Sequence, residues 1–254
     1  MKEKHHDPLV ILFFICIALL LVALVVLWPM LRGEKPLEME PELDPATISW
    51  VSYGDSVTDH GFWQPLVLER YPFHHFDRGV SGSCVAGRAG LPFWSEERIQ
   101  AVIDLKPDLI TVMGGINDYY ANHPLGDPGV LDASLEDKDL DTFYGAYAYL
   151  IERFQEALPE VRIFLMPNTL IYTHFEAQPE NEIGLTIDDY ASAARAVAEH
   201  YHLPVVDLDR IPYASLDDFM ADHDDGIHPN LPGAEKIAAL VEAAFDETLR
   251  LRKN

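Results

Sequence analysis

An α/β fold, a parallel sheet with helices on both of its faces, is what the order of segments in this chain predicts. From residue 48 onward, apolar strand-like runs alternate with helical patterns, the signature of strand–helix–strand units. Two short polar segments, one around Ser56 and one around Asn117, fall just past the carboxyl ends of predicted strands. That edge is where parallel sheets hold their ligands. The length, 254 residues with 48% apolar content, suits one sizeable globular domain.

Taken in order, Ile48-Ser49-Trp50-Val51-Ser52-Tyr53 predicts a buried strand, and residues 61–70 the helix after it. A strand follows around 73–80. A helix over about 95–105 leads to a strand over 109–113, bounded by Pro107 and Gly114. Residues 141–158 have a helical pattern, and 161–166 read as the next strand. Thr186 opens a helix to about Tyr201, with Asp189 at the capping-box position. Residues 204–208 predict a last strand and 232–250 a long closing helix. The stretch 120–139, rich in Asp, Pro and Gly, is the longest irregular piece and is expected to border the substrate cleft. No internal repeat is visible.

Ahead of this domain, residues 9–28 are twenty consecutive apolar positions without charge or proline. At about 1.5 Å per helical residue they span about 30 Å, the hydrocarbon thickness of a bilayer. A cleaved signal peptide is the competing reading, because Lys2 and Lys4 precede the run. Its core is longer than signal peptides use, and Leu27-Trp28-Pro29-Met30 has no small-residue cleavage pattern. The expectation is therefore a short flank (1–8), an uncleaved transmembrane anchor (9–30), a proline-rich acidic linker (31–45) and a single domain (46–254). Basic residues flank both ends of the run, and the acidic stretch after it favours an extracytoplasmic domain on a single-pass protein.

The net charge of −24 repels phosphate backbones, so nucleic acid is excluded as a partner. There are two cysteines, Cys16 in the apolar run and Cys84 in the domain, so the domain has no internal disulfide. Cys84 reads as a small packed side chain, and His74-His75 as strand-edge surface.

Ser56, in Gly54-Asp55-Ser56, is the candidate nucleophile. A serine hydroxyl needs a base to take its proton, and an isolated Gly-Asp-Ser after a strand more often marks a helix cap. His228 is the candidate base, with Asp225 three residues earlier to orient it, in Asp225-Gly226-Ile227-His228-Pro229-Asn230. Asn117, in Gly114-Gly115-Ile116-Asn117-Asp118, offers an amide to a developing oxyanion. Gly82, in Gly79-Val80-Ser81-Gly82, offers a backbone N–H to the same oxygen. His223, Asp225 and His228 also have the chemistry of metal ligands, in direct competition with a triad, but no further ligand accompanies them.

Together these segments resemble the four blocks of the SGNH, or GDSL-type, hydrolases. The blocks here are Gly54-Asp55-Ser56-Val57-Thr58-Asp59, Gly79-Val80-Ser81-Gly82, Gly115-Ile116-Asn117-Asp118 and Asp225-Gly226-Ile227-His228-Pro229, in the family's order. Val57 stands where many members have leucine. The resemblance implies a flavodoxin-like three-layer α/β/α fold and hydrolysis of carboxylic esters without a metal or other cofactor. It implies Ser56 as nucleophile, His228 as base and Asp225 as the histidine's partner. The oxyanion hole would comprise the Ser56 N–H, the Gly82 N–H and the Asn117 side chain. Members act on lipids, thioesters, aryl esters and glycan acetates, so a small-molecule, lipid or glycan ester is the expected substrate. An acyltransferase to glycan acceptors, or a non-catalytic glycan-binding module on the same fold, are the alternative functions.

Overall fold

The computed structural model describes residue 17 and residues 42–177, 179–249 and 251. The chain divides into two compact units, Met1–Pro41 and Glu42–Asn254. Apart from residue 17, the predicted anchor over 9–30 lies outside the described residues. Among the described residues, no helix is long and apolar enough to cross a membrane.

The second unit is an α/β fold on four parallel strands, β1 (Ser49–Gly54), β2 (His74–Gly79), β3 (Leu109–Gly114) and β4 (Arg162–Pro167), in the order β2-β1-β3-β4. The α-helices of this unit are α1 (Ser56–Asp59), α2 (Gln64–Arg70), α3 (Glu96–Ile103), α4 (Ile116–Tyr120), α5 (Phe143–Ala157), α6 (Ile187–His200), α7 (Leu216–Met220) and α8 (Leu231–Thr248). Every residue of the inner strand β3 is buried, as its run Leu-Ile-Thr-Val-Met, apolar but for Thr111, requires. Alternate side chains of β1 meet different helices, as the period of two demands. Trp50 packs against Trp63 and Phe245, while Tyr53 packs against Phe93 and Phe154 of α5. The capping box of α6 is present, Thr186 and Asp189 each accepting from the other's backbone.

Two sequence expectations change. Residues 204–208 do not form a strand; only Val205 bridges Leu165 of β4. Pro204 has no N–H to give a ladder, and Asp207 turns to an ion pair with Arg195 at 2.7 Å just before a 3-10 turn at Leu208–Arg210. The helix expected over 61–70 starts only at Gln64, because Gly61, at φ +68°, breaks the chain between α1 and α2.

Strand order reverses between β1 and β3, so a crevice opens outside their carboxyl ends. The approach there is close. A Cβ on Gly54 would lie 2.1 Å from Thr58 Oγ1 and 2.7 Å from the Met113 carbonyl oxygen. Glycine at the end of β1 is thus what lets α1 fold back beside β3.

Candidate active site

Ser56 is the first residue of α1, directly beyond β1. The cap is not Ser56 but Asp55, whose Oδ1 accepts from the Val57 N–H at 3.0 Å. The Ser56 hydroxyl is thereby left for another partner, His228 Nε2 at 2.8 Å. On the far side of the ring, His228 Nδ1 lies 2.7 Å from Asp225 Oδ2.

The loop between α7 and α8 sets that geometry locally. Asp225 Oδ1 accepts the backbone N–H groups of Ile227 at 3.0 Å and His228 at 2.8 Å, which closes the turn and aims the imidazole. Asn230 caps α8 and staples the loop, donating to the Ala221 carbonyl and to Asp224 Oδ1, both at 2.9 Å. Partial burial works against the Asp225 charge, but the His228 side chain and the two backbone donors outweigh it. The carboxyl is held down at about 2. It stays ionised above that pH, so the orienting contact persists.

Asn117 lies on α4, just past β3, and its Nδ2 donates to the Ser83 carbonyl at 3.0 Å. One amide hydrogen remains for a ligand. Gly82 has φ +74°, and a Cβ there would meet nothing within 4 Å, so it faces open space. Among the described residues, neither the Gly82 nor the Ser56 N–H has an acceptor. Ser56, Gly82, Asn117, Asp225 and His228 all converge on the carboxyl edge of the sheet or the loop against it.

Several residues that brace this edge were not singled out from the sequence. Asp118 is fully buried and accepts the Val85 and Ala86 N–H groups, each at 2.8 Å, which ties the segment carrying Gly82 to α4. It also meets His123 Nδ1 at 3.1 Å. Arg98 stacks over Tyr53 and Phe93, donating to the carbonyls of Gly54 (2.8 Å), Arg78 (3.1 Å) and Leu91 (3.1 Å). The signal for Arg98 was a cation beside Ile99 and Val102 on the apolar face of a helix. Asp59 holds Ser81, next to Gly82, through the serine hydroxyl and N–H.

Other candidates fall elsewhere. His223 is buried, stacked on Phe219 with its Nδ1 3.2 Å from the Phe219 carbonyl, while Asp225 and His228 engage each other and Ser56. His74 is exposed on the edge strand, as expected, but His75 turns inward to Ser52 Oγ at 2.9 Å and against Trp50. Cys84, Asp118 and His123 place a thiol, a carboxylate and a ring nitrogen within 4.8 Å of one another. Burial pushes the Cys84 thiol up to about 12, with Asp118 and Asp55 adding to it. A cavity of about 410 Å³, lined in part by Thr169, Arg195, Asp209 and Tyr213, contains none of the Ser56 site residues.

A sequence model of the GDSL-like lipase/acylhydrolase family matches residues 52–236. No curated protein matches the chain. Among solved structures, a protein from Lactobacillus plantarum is 26% identical, with a TM-score of 0.68 over 80% of this chain and 99% of that one. A protein described as a GDSL-like lipase from Bacteroides ovatus is 21% identical, with a TM-score of 0.56 over 80% of this chain and 99% of that one. An acetyl xylan esterase, 19% identical, aligns with a TM-score of 0.55 over 78% of this chain and 99% of its own. The last two are similar in fold. The chain belongs to the GDSL-like lipase/acylhydrolase (SGNH) family and is a carboxylic ester hydrolase.

Proposed function

We propose that this esterase works by a serine mechanism, with Ser56 as nucleophile, His228 as general base and Asp225 as its orienting partner. The observation that carries the reading is the unbroken relay Ser56 Oγ–His228 Nε2 at 2.8 Å and His228 Nδ1–Asp225 Oδ2 at 2.7 Å. Such a relay is what a hydroxyl needs to become a nucleophile near neutral pH. Ser56 Oγ attacks the ester carbonyl as its proton passes to His228 Nε2. The oxyanion that forms is stabilised by the N–H groups of Ser56 and Gly82 and by the Asn117 amide. The imidazolium then protonates the leaving alcohol as the C–O bond breaks, leaving an acyl-serine. Water, deprotonated by His228, attacks that acyl group, and the acid departs as Ser56 regains its proton.

The strand order and the packing of β1 on helices from two sides support the finer description of the fold as a flavodoxin-like three-layer α/β/α sandwich. Residues 9–30 serve, in this proposal, as a transmembrane anchor and 31–45 as a linker to an extracytoplasmic domain. Support for that part is the apolar run itself. The substrate is an acyl or O-acetyl ester.

The test is hydrolysis of p-nitrophenyl esters of increasing chain length by the wild type and Ser56→Ala. Loss of about 10³-fold or more in turnover is expected for the variant. A fully active Ser56→Ala enzyme would refute the serine mechanism, and the chain-length profile separates an acetylesterase from a lipase.

A further inference from the structure

The relay uses only the edge of the His228 ring, Nε2 toward Ser56 and Nδ1 toward Asp225. One face of that ring is covered by a second imidazole. His60 lies with its ring centroid 4.4 Å from that of His228, the planes tilted by 36°. The Phe62 ring in turn stands edge-on to His60 at 6.0 Å.

The placement comes from the same turn that presents the serine. His60 is the C-cap of α1, and its backbone N–H bonds to the Ser56 carbonyl at 3.0 Å. The four-residue helix α1 and its C-cap therefore carry both the hydroxyl that His228 meets and the ring that covers it. His60 itself is exposed, so core packing does not explain a large aromatic side chain there.

We propose that His60 is a positioning residue for His228, holding the imidazole in its relay by packing its ring against the ring face. The proposal rests on the serine mechanism given above. His228 can leave the relay by turning about its Cβ–Cγ bond, and that rotation sweeps the space His60 occupies. His60 presents a polarisable ring face to the imidazolium that develops as Ser56 gives up its proton. The charged groups near the pair are Asp225 on Nδ1, Asp55 and Asp59 at the start and end of α1, and Asp77, whose Oδ2 lies 3.9 Å from where a Cβ on Gly61 would sit. Asp59 is engaged by Ser81 and Asp77 by the Gly79 N–H, so neither replaces His60 as the ring's cover.

The experiment compares full-length wild type, His60→Ala, His60→Phe and Ser56→Ala, measuring kcat and KM on p-nitrophenyl acetate from about pH 5 to about pH 9. His60→Ala should lower kcat about 10-fold with KM little changed, because the ring loses its cover but the acyl site is untouched. His60→Phe should recover most of that loss near pH 8, since it restores a ring face. A His60→Ala enzyme with wild-type kcat overturns the proposal, as does a phenylalanine variant as impaired as the alanine one. An active Ser56→Ala enzyme would instead overturn the serine mechanism, a separate outcome. Equal melting temperatures across the variants exclude unfolding as the cause of any loss.

Discussion

Asp55 is a carboxylic acid in an apolar place, and replacing it by asparagine should make the protein more stable above neutral pH. It is 1% exposed, with Oδ1 on the Val57 N–H and Oδ2 buried without a partner. Burial pushes its pKa from the usual 3.8 up to about 7, and the nearby Asp118 charge adds to that. The Val57 hydrogen bond works the other way. Because the folded value lies above the unfolded one, the folded protein holds this proton more tightly. The stability it contributes is complete below about pH 4 and is lost as pH rises through about 7. At about 1.4 kcal/mol per pH unit, the gap corresponds to about 4 kcal/mol. That figure is an upper bound, since local relaxation and water entry reduce it. Asparagine is isosteric, still accepts the Val57 N–H and has no charge to bury. Asp55→Asn should therefore match the wild type near pH 4 and exceed it by about 2–4 kcal/mol near pH 8.

The wild-type curve alone would not show this. Burial lowers the His75 pKa to about 4, where it packs tilted against Trp50 and meets Ser52 Oγ. A base with a depressed folded pKa contributes stability above its unfolded value and loses it as pH falls, the opposite slope over nearly the same window. The difference between variant and wild type removes His75, which both share. Asp225, held at about 2, acts only below that window. Urea unfolding followed by the fluorescence of the buried Trp50 and Trp63 reads the free energies. Parallel curves for the two proteins between pH 4 and pH 8 would show that Asp55 is ionised at no cost, and the burial argument would fail.

Asn117→Ala should lower kcat about 10²–10³-fold with a small effect on KM, since its amide would act on the oxyanion rather than on the bound ester. An unchanged kcat removes Asn117 from that role. Asp118→Asn should cost about 2–4 kcal/mol of stability, because the Val85 and Ala86 N–H groups cannot both be satisfied by one amide oxygen. The same change should reduce kcat, as the Gly82 segment loses its tie to α4. A variant as stable as the wild type in urea would place the tie elsewhere.

What could be read from the chain depended on where each residue's partners lie. β3 was legible because its apolar run is closed off by Pro107 and Gly114, and burial on both faces demands such a run. β2 was read loosely, around 73–80, because an edge strand with sequence His-His-Phe-Asp-Arg-Gly is only partly covered and its composition is hardly apolar. Residues 204–208 mislead, since Val205-Val206 has strand composition while the proline before it and the aspartate after it deny the ladder. Asp225 and His228 were legible because they are three residues apart and one turn joins them. Asp118 had no such mark. Its donors are backbone N–H groups 33 and 32 residues earlier, and a backbone group leaves no letter in the sequence. Arg98 bonds to three carbonyls for the same reason invisibly, and His60 becomes notable only once a loop 168 positions away brings His228 over it. The residues with chemistry of their own therefore announce themselves by type and spacing. Those that hold them in place, by bonding to main chain or covering a ring, are set by how the chain crosses itself at the sheet edge, so the variants that separate these two tiers are Asp118→Asn and His60→Ala rather than changes in the proposed triad.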